Sequence, residues 1–177
     1  MDLSPIALAI GASQPERKTW REGMALDNDV HNLARNPTLA ALEPDALRQL
    51  AVAAETRILR KGEILFRRDE PSDGGYLVVS GMIALDPSDH GESVRLVGPP
   101  ALIGDMALIA TTRRPVTATA REQTAVLKIS RALFHRILEE SPVSAERLKH
   151  ALSERLVQFL RELDGFRGAD VDPPKEV

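Results

Sequence analysis

The sequence predicts an α+β domain, a jelly-roll β-barrel with N-terminal helices before it and two C-terminal helices after it. Three observations carry that expectation. Between Ile58 and Ile129 apolar and polar residues alternate, Val, Ile and Thr are frequent, and Gly, Pro, Asp and Ser interrupt repeatedly, which marks several short strands. Ahead of that region, Leu39, Leu42, Leu47 and Leu50 recur at helical spacing. Behind it, Leu148, Leu152, Leu156, Phe159, Leu160 and Leu163 fall on one face of a helix.

Taken in order, residues 1–28 mix Pro, Gly, Ser and charges without periodicity and read as a flexible or loosely docked extension. Trp20, the only Trp, would anchor that extension against the barrel, because so large an apolar surface is seldom left in water. Glu43-Pro44 then separates two short helices, since the residue before a proline disfavours the helical region. Within the strand region, the composition of Asp86-Pro87-Ser88-Asp89-His90-Gly91 is that of a hairpin loop. The last helix is expected to begin near Ser144, an acceptable N-cap with Glu146 in the first turn just after Pro142, and to end at Gly165 and Gly168. Residues 29–163 thus form the domain. Residues 164–177, with Pro173-Pro174, form an unstructured tail.

Composition bounds the function. At 177 residues the chain holds one core, and a hydrophobic fraction of 43% with only one Trp, one Tyr and four Phe makes that core aliphatic. A formal net charge of −3 gives no electrostatic reason for nucleic-acid binding. The absence of Cys excludes disulfides, thiol catalysis and Cys-based metal sites, and is compatible with a cytoplasmic location. The apolar run Ile6 to Ala12 is too short to cross a bilayer and lacks a basic flank, so no membrane or targeting segment is expected.

The chemistry concentrates in Gly104-Asp105-Met106-Ala107-Leu108-Ile109-Ala110-Thr111-Thr112-Arg113-Arg114-Pro115-Val116-Thr117-Ala118-Thr119-Ala120. A glycine admits a ligand close to the backbone, and a short apolar run can form one helical turn with free N–H groups at its start. An arginine supplies a fork for phosphate oxygens. A carboxylate beside that glycine would repel a phosphate unless it served another part of the ligand, such as a ribose hydroxyl. Sugar and phosphate together suggest a nucleotide.

This segment resembles the phosphate-binding cassette of the cyclic nucleotide-binding domain, the sensor module of catabolite-activator regulators, cyclic-nucleotide-dependent kinases and cyclic-nucleotide-gated channels. The family pattern is Gly-Glu-x-Ala-Leu, a six-residue variable loop, Arg and a small residue, then Ala-Thr. The resemblance implies that Asp105 takes the ribose 2′-hydroxyl, that Arg114 takes the cyclic phosphate, and that Gly104 and Ala107 supply backbone amides. Met106, Pro115, Val116 and Thr117 complete the ligand-binding set, and Arg113 falls in solvent. Similar segments flank the cassette: Asn32 to Leu39 as the helical lead-in, Lys61-Gly62-Glu63-Ile64-Leu65 as a first hairpin, and Tyr76 to Ile83 as a strand with its Gly turn. Val97-Gly98-Pro99-Pro100 forms the approach and Ala125 to Ile129 the closing strand, with helices over Arg131 to Glu140 and Val143 to Leu163. The likeness spans roughly residues 30 to 163.

Two positions depart from the pattern. Asp105 replaces Glu and withdraws the carboxylate by about 1.3 Å, which makes a water-mediated ribose contact the expectation. Pro115 stands where Ala, Ser or Thr is usual, removing an amide donor and a hydroxyl that favours guanine in some members. The function implied is a non-enzymatic, stand-alone receptor for cyclic AMP in preference to cyclic GMP, with no metal. It would signal to a homodimer mate or an unidentified effector protein, since too few residues follow Leu163 for a helix-turn-helix domain. The apolar stripe of the last helix either packs on the barrel or, through Leu156, Phe159 and Leu160, forms a lid over the base and a subunit seam. The alternative function is a degenerate barrel that serves as a protein-interaction module.

Other candidates are weaker. His31, His90, His135 and His150 share no metal-ligand spacing, and Asp69, Glu70 and Asp73 suit a strand-connecting turn better than a metal loop. No Gly-x-Ser-x-Gly pattern provides a nucleophile. Arg57, Arg60, Lys61, Arg67 and Arg68 form a basic stretch that reads as a solvated face.

Overall fold

The structure is a computed structural model that describes residues 26–88 and 94–167, without the side chains of residues 155, 156 and 158–167. Helix α1 covers residues 26–35, a 3-10 turn covers Leu39–Ala41, and α2 covers Pro44–Ala53. Asn36 joins the first two, its Oδ1 accepting from the amides of Thr38 at 3.0 Å and Leu39 at 3.2 Å. Pro44 occupies the first turn of α2, where its missing N–H costs nothing, so the break expected at Glu43-Pro44 is present. Leu39, Leu42, Leu47 and Leu50 are all buried.

Eight strands follow: β1 (Glu55–Leu59), β2 (Ile64–Phe66), β3 (Gly74–Ser80), β4 (Ile83–Asp86), β5 (Arg95–Val97), β6 (Leu102–Ile103), β7 (Thr117–Ala120) and β8 (Thr124–Ser130). They form two four-stranded antiparallel sheets in the orders β1-β8-β3-β6 and β2-β7-β4-β5. Helix α3 (Met106–Ile109) lies between β6 and β7, and α4 (Arg131–Glu140) and α5 (Pro142–Arg167) close the chain. The expected jelly roll with flanking helices is what the chain adopts.

The first sheet separates two apolar cores. Tyr76, Val78 and Val126 face the barrel interior with Leu59, Phe66, Ile83 and Ile103. Their neighbours Leu77, Leu127 and Ile129 face the opposite way, against Leu33, Leu50, Phe134 and Leu148 of the helices. Period-two alternation along β3 and β8 therefore builds both layers at once.

Four details differ from expectation. The extension does not run to residue 28: helix α1 is formed from residue 26, and Leu26 packs on the helical core, which gives the helix a buried face. Lys61 to Leu65 is not a hairpin, because β1 pairs with β8 and β2 with β7, so the turn at Gly62 carries the chain from one sheet to the other. Helix α5 starts at Pro142, and Ser144 is fully buried inside its first turn rather than capping it. Gly165 does not end that helix, which runs to Arg167 past the expected boundary at 163. The hairpin of β4 and β5 is present, with Ile83 opposite Val97 and Leu85 opposite Arg95. Trp20 and residues 168–177 lie outside the described residues.

Candidate functional site

The site is built around Arg114. This side chain is only 3% exposed, yet its Nη1 has no hydrogen-bond partner, and no ion pair holds it among the described residues. Its guanidinium carbon lies 4.3 Å from the centroid of the Phe66 ring and 5.3 Å from that of Tyr76. The two rings are themselves stacked at 5.8 Å. Aromatic faces attract a cation but leave its N–H groups unsatisfied. Burial disfavours the charged form of Arg114, with the nearby Tyr76, Asp73 and Glu70 opposing that effect. A buried guanidinium with an open donor is set up to receive an anion.

The backbone fixes that guanidinium. The amide of Arg114 donates to the Glu70 carbonyl at 2.9 Å and its carbonyl accepts from Asp69 at 2.8 Å, so the loop before β3 clamps the residue on both sides. Gly104 has φ +79, and a Cβ on it would sit 2.5 Å from Arg114 Nη1. Only glycine combines that left-handed conformation with that approach. Opposite it, a Cβ on Gly75 would lie 3.1 Å from the Gly104 carbonyl oxygen, so the two glycines let β3 and the cassette close up.

Around Arg114 opens a cavity of about 490 Å³ lined by Phe66, Leu85, Arg95, Gly104 to Ala107 and Thr112 to Val116, among others. That volume is within the range of roughly 300–1,000 Å³ for small-molecule pockets. The structure thus brings Gly104, Asp105, Met106, Ala107, Arg114, Pro115 and Val116 to one cavity. Thr117 is not among its lining residues; its Oγ1 accepts instead from the Arg68 amide at 3.0 Å. Asp105 caps α3, its Oδ1 accepting from Met106 at 2.8 Å. The Ala107 amide, expected at the phosphate, instead donates to the Gly104 carbonyl at 3.0 Å and closes the turn. Met106 is 58% exposed at the rim, and Arg113 is exposed as expected, bonded to the Asp69 carbonyl at 2.7 Å. The side chains of Leu156, Phe159 and Leu160 lie outside the described residues.

Several site residues had no sequence signal. Phe66 and Tyr76 support Arg114 from other strands, and Arg131 holds α3 from the start of α4, its Nε donating to the Ala107 carbonyl at 2.9 Å. Leu85 and Arg95 line the cavity from paired positions of the second sheet. Asp73 and Lys128 pair at 2.8 Å beside the site. The hydrogen bond from Lys128 holds the Asp73 carboxyl below its usual range, and the same bond raises Lys128. Among the described residues no group of three or more His, Cys, Asp or Glu could hold a metal ion, and no helix is long and apolar enough to cross a membrane.

The sequence pattern of the family described as the cyclic nucleotide-binding domain matches residues 56–141. A solved cyclic nucleotide-binding-like protein from Brucella abortus bv. 1 str. 9-941 is 43% identical, over 64% of this chain and 99% of that one, with a TM-score of 0.58. This chain belongs to the cyclic nucleotide-binding domain family. The N-terminal domain of a transcriptional regulator from Streptomyces coelicolor A3(2) is 29% identical over 75% of this chain and 94% of that one, with a TM-score of 0.69. Neuropathy target esterase sws of Drosophila persimilis is 30% identical over 142 residues, which are 77% of this chain and 10% of the esterase. The chain thus spans about a tenth of the length of that curated relative.

Proposed function

We propose that this domain is a non-enzymatic receptor for a cyclic nucleotide, cyclic AMP in preference to cyclic GMP, and that ligand binding is transmitted through the C-terminal helices. The observation that carries the proposal is the buried, unpartnered Nη1 of Arg114, a residue that lines the cavity. A cyclic phosphate would satisfy it, Asp105 would turn from Met106 to a ribose hydroxyl, and the base would lie toward Leu85 and Arg95. Helix α5 would then close over the base through Leu156, Phe159 and Leu160, presenting a changed surface to a second copy or an effector protein. Binding drives that closure only to the extent that the nucleotide prefers the closed state.

Pro115 offers no hydroxyl for guanine, which favours cyclic AMP. Arg95 favours the other base, because its donor fork suits the paired acceptors N7 and O6 of guanine better than the acceptor and donor edge of adenine.

Calorimetry of the whole chain with cyclic AMP and cyclic GMP tests both points. The expected result is micromolar or tighter binding, about −8 kcal/mol, and its loss in Arg114→Ala and Arg114→Lys variants that still unfold cooperatively. A tenfold advantage for cyclic AMP is the expected result, and an equal advantage for cyclic GMP would overturn the base preference and assign it to Arg95. Absence of binding at millimolar nucleotide would remove the receptor proposal and leave the barrel as a protein-interaction module.

A further inference from the structure

We infer that Arg131 is the positioning residue that couples the Arg114 cavity to helix α4, an inference that rests on the receptor proposal for that cavity. Its guanidinium makes three hydrogen bonds, each to a different segment. Nε donates to the Ala107 carbonyl of α3 at 2.9 Å, Nη1 to Thr111 Oγ1 in the loop after α3 at 3.1 Å, and Nη2 to the Ser72 carbonyl before β3. Its own amide donates to the Asp73 carbonyl at 2.7 Å.

Each bond answers a local need. Helix α3 is a single turn, so its last carbonyls have no partner within it, and the Ala107 oxygen takes Arg131 instead. Arg131 is the first residue of α4, directly after the N-cap Ser130, whose Oγ accepts from Leu133 at 3.2 Å. The guanidinium is planar and its donors are fixed relative to one another, so three partners in three directions leave it little freedom. A displacement of Ala107 must either break the Nε bond or carry the start of α4 with it. Ala107 lines the cavity, which makes the start of α4 respond to what the cavity holds. Beneath this polar link, Leu108 of α3 and Phe134 of α4 belong to one buried cluster, so the two elements also share an apolar contact surface.

Nuclear magnetic resonance titration of the whole chain with cyclic AMP and cyclic GMP, in wild type, Arg131→Gln and Thr111→Val, decides the matter. In wild type, saturating nucleotide should shift amides from Gly104 to Ala110 and also from Leu133 to Leu138. Arg131→Gln should weaken binding about five- to tenfold and cut the α4 shifts to roughly half or less while the cassette shifts remain. Thr111→Val removes one bond of three and should weaken binding about twofold. An α4 response in saturated Arg131→Gln equal to wild type overturns the inference. If neither nucleotide shifts the wild-type cassette, the receptor proposal fails by itself, and hydrogen exchange of the unliganded chain judges Arg131. Faster exchange in Arg131→Gln confined to the Leu108 and Ala110 amides sustains the positioning role, while unchanged exchange there, or an equal rise throughout β8, overturns it.

Discussion

At the scale of single residues, the cavity depends on one glycine and one arginine that meet at close range. Gly104 adopts φ +79 and leaves no room for a Cβ beside Arg114 Nη1, whereas Gly62 adopts φ +83 with nothing within 4 Å. The pair separates backbone strain from ligand chemistry. Gly62→Ala should cost about 1–2 kcal/mol from the left-handed backbone alone. Gly104→Ala should cost at least that much and also weaken nucleotide binding by more than about tenfold, because the methyl displaces the guanidinium. Denaturant unfolding and calorimetry of both variants check this, and equal nucleotide affinity in the two would refute the role given to Gly104. Gly104 and Arg114 were legible in the sequence through the spacing of the cassette. Phe66 and Tyr76 were not, because their contact with Arg114 is made across the barrel, and nothing local in Ile64 to Phe66 or Gly74 to Ser80 encodes it.

At the scale of elements, what the sequence encodes locally was readable and what depends on pairing was not. The 3.6-residue spacing placed α2, which has one buried face, whereas β3 and β8 fill cores on both sides and were placed by their likeness to the family's strand segments. The segment Lys61 to Leu65 misled because a Gly-containing turn between two apolar runs has the same local chemistry whether the runs pair or diverge into separate sheets. Ser144 misled for a related reason. A helix start can be signalled by Ser or by a proline in the first turn, and here Pro142 fills that position. Ser144 is left to work between elements: its Oγ accepts from the Glu43 amide at 3.0 Å and from Ser141 Oγ at 2.7 Å, while Ser141 also reaches Glu43 Oε2 at 3.3 Å. Ser144→Ala should therefore orphan the amide at the start of α2 and cost about 1–3 kcal/mol. Denaturant titration measures the cost, and hydrogen exchange should rise in α2 as well as in α5. A loss confined to α5 would mean that the serine acts only on its own helix.

At the scale of the whole molecule, the family and the barrel were recognisable because order and spacing persist from the lead-in helix to α4, but the layering was not, because it depends on which strands share a sheet. In sheet β1-β8-β3-β6 the inner strands β8 and β3 are covered on both faces, by the barrel core on one side and by the helices on the other. Two consecutive residues of β3 sample these layers separately: Leu77 is fully buried against the helices, and Val78 is fully buried inside the barrel. If the layers are one cooperative unit, either truncation must lower the same transition. Leu77→Ala should cost about 2–5 kcal/mol and Val78→Ala about 1.5–3 kcal/mol, each with an unchanged denaturant slope and a single transition. Circular dichroism, dominated by the helices, and the fluorescence of a Trp introduced at exposed Leu96 on β5, in a Trp20→Phe background, report the two layers independently. Coincident curves in both variants are the expected result. A Leu77→Ala protein whose helical signal is lost before its barrel signal would show that the helices detach on their own, and a ligand signal passing from the cavity through α3 to α4 would then have no rigid sheet behind it.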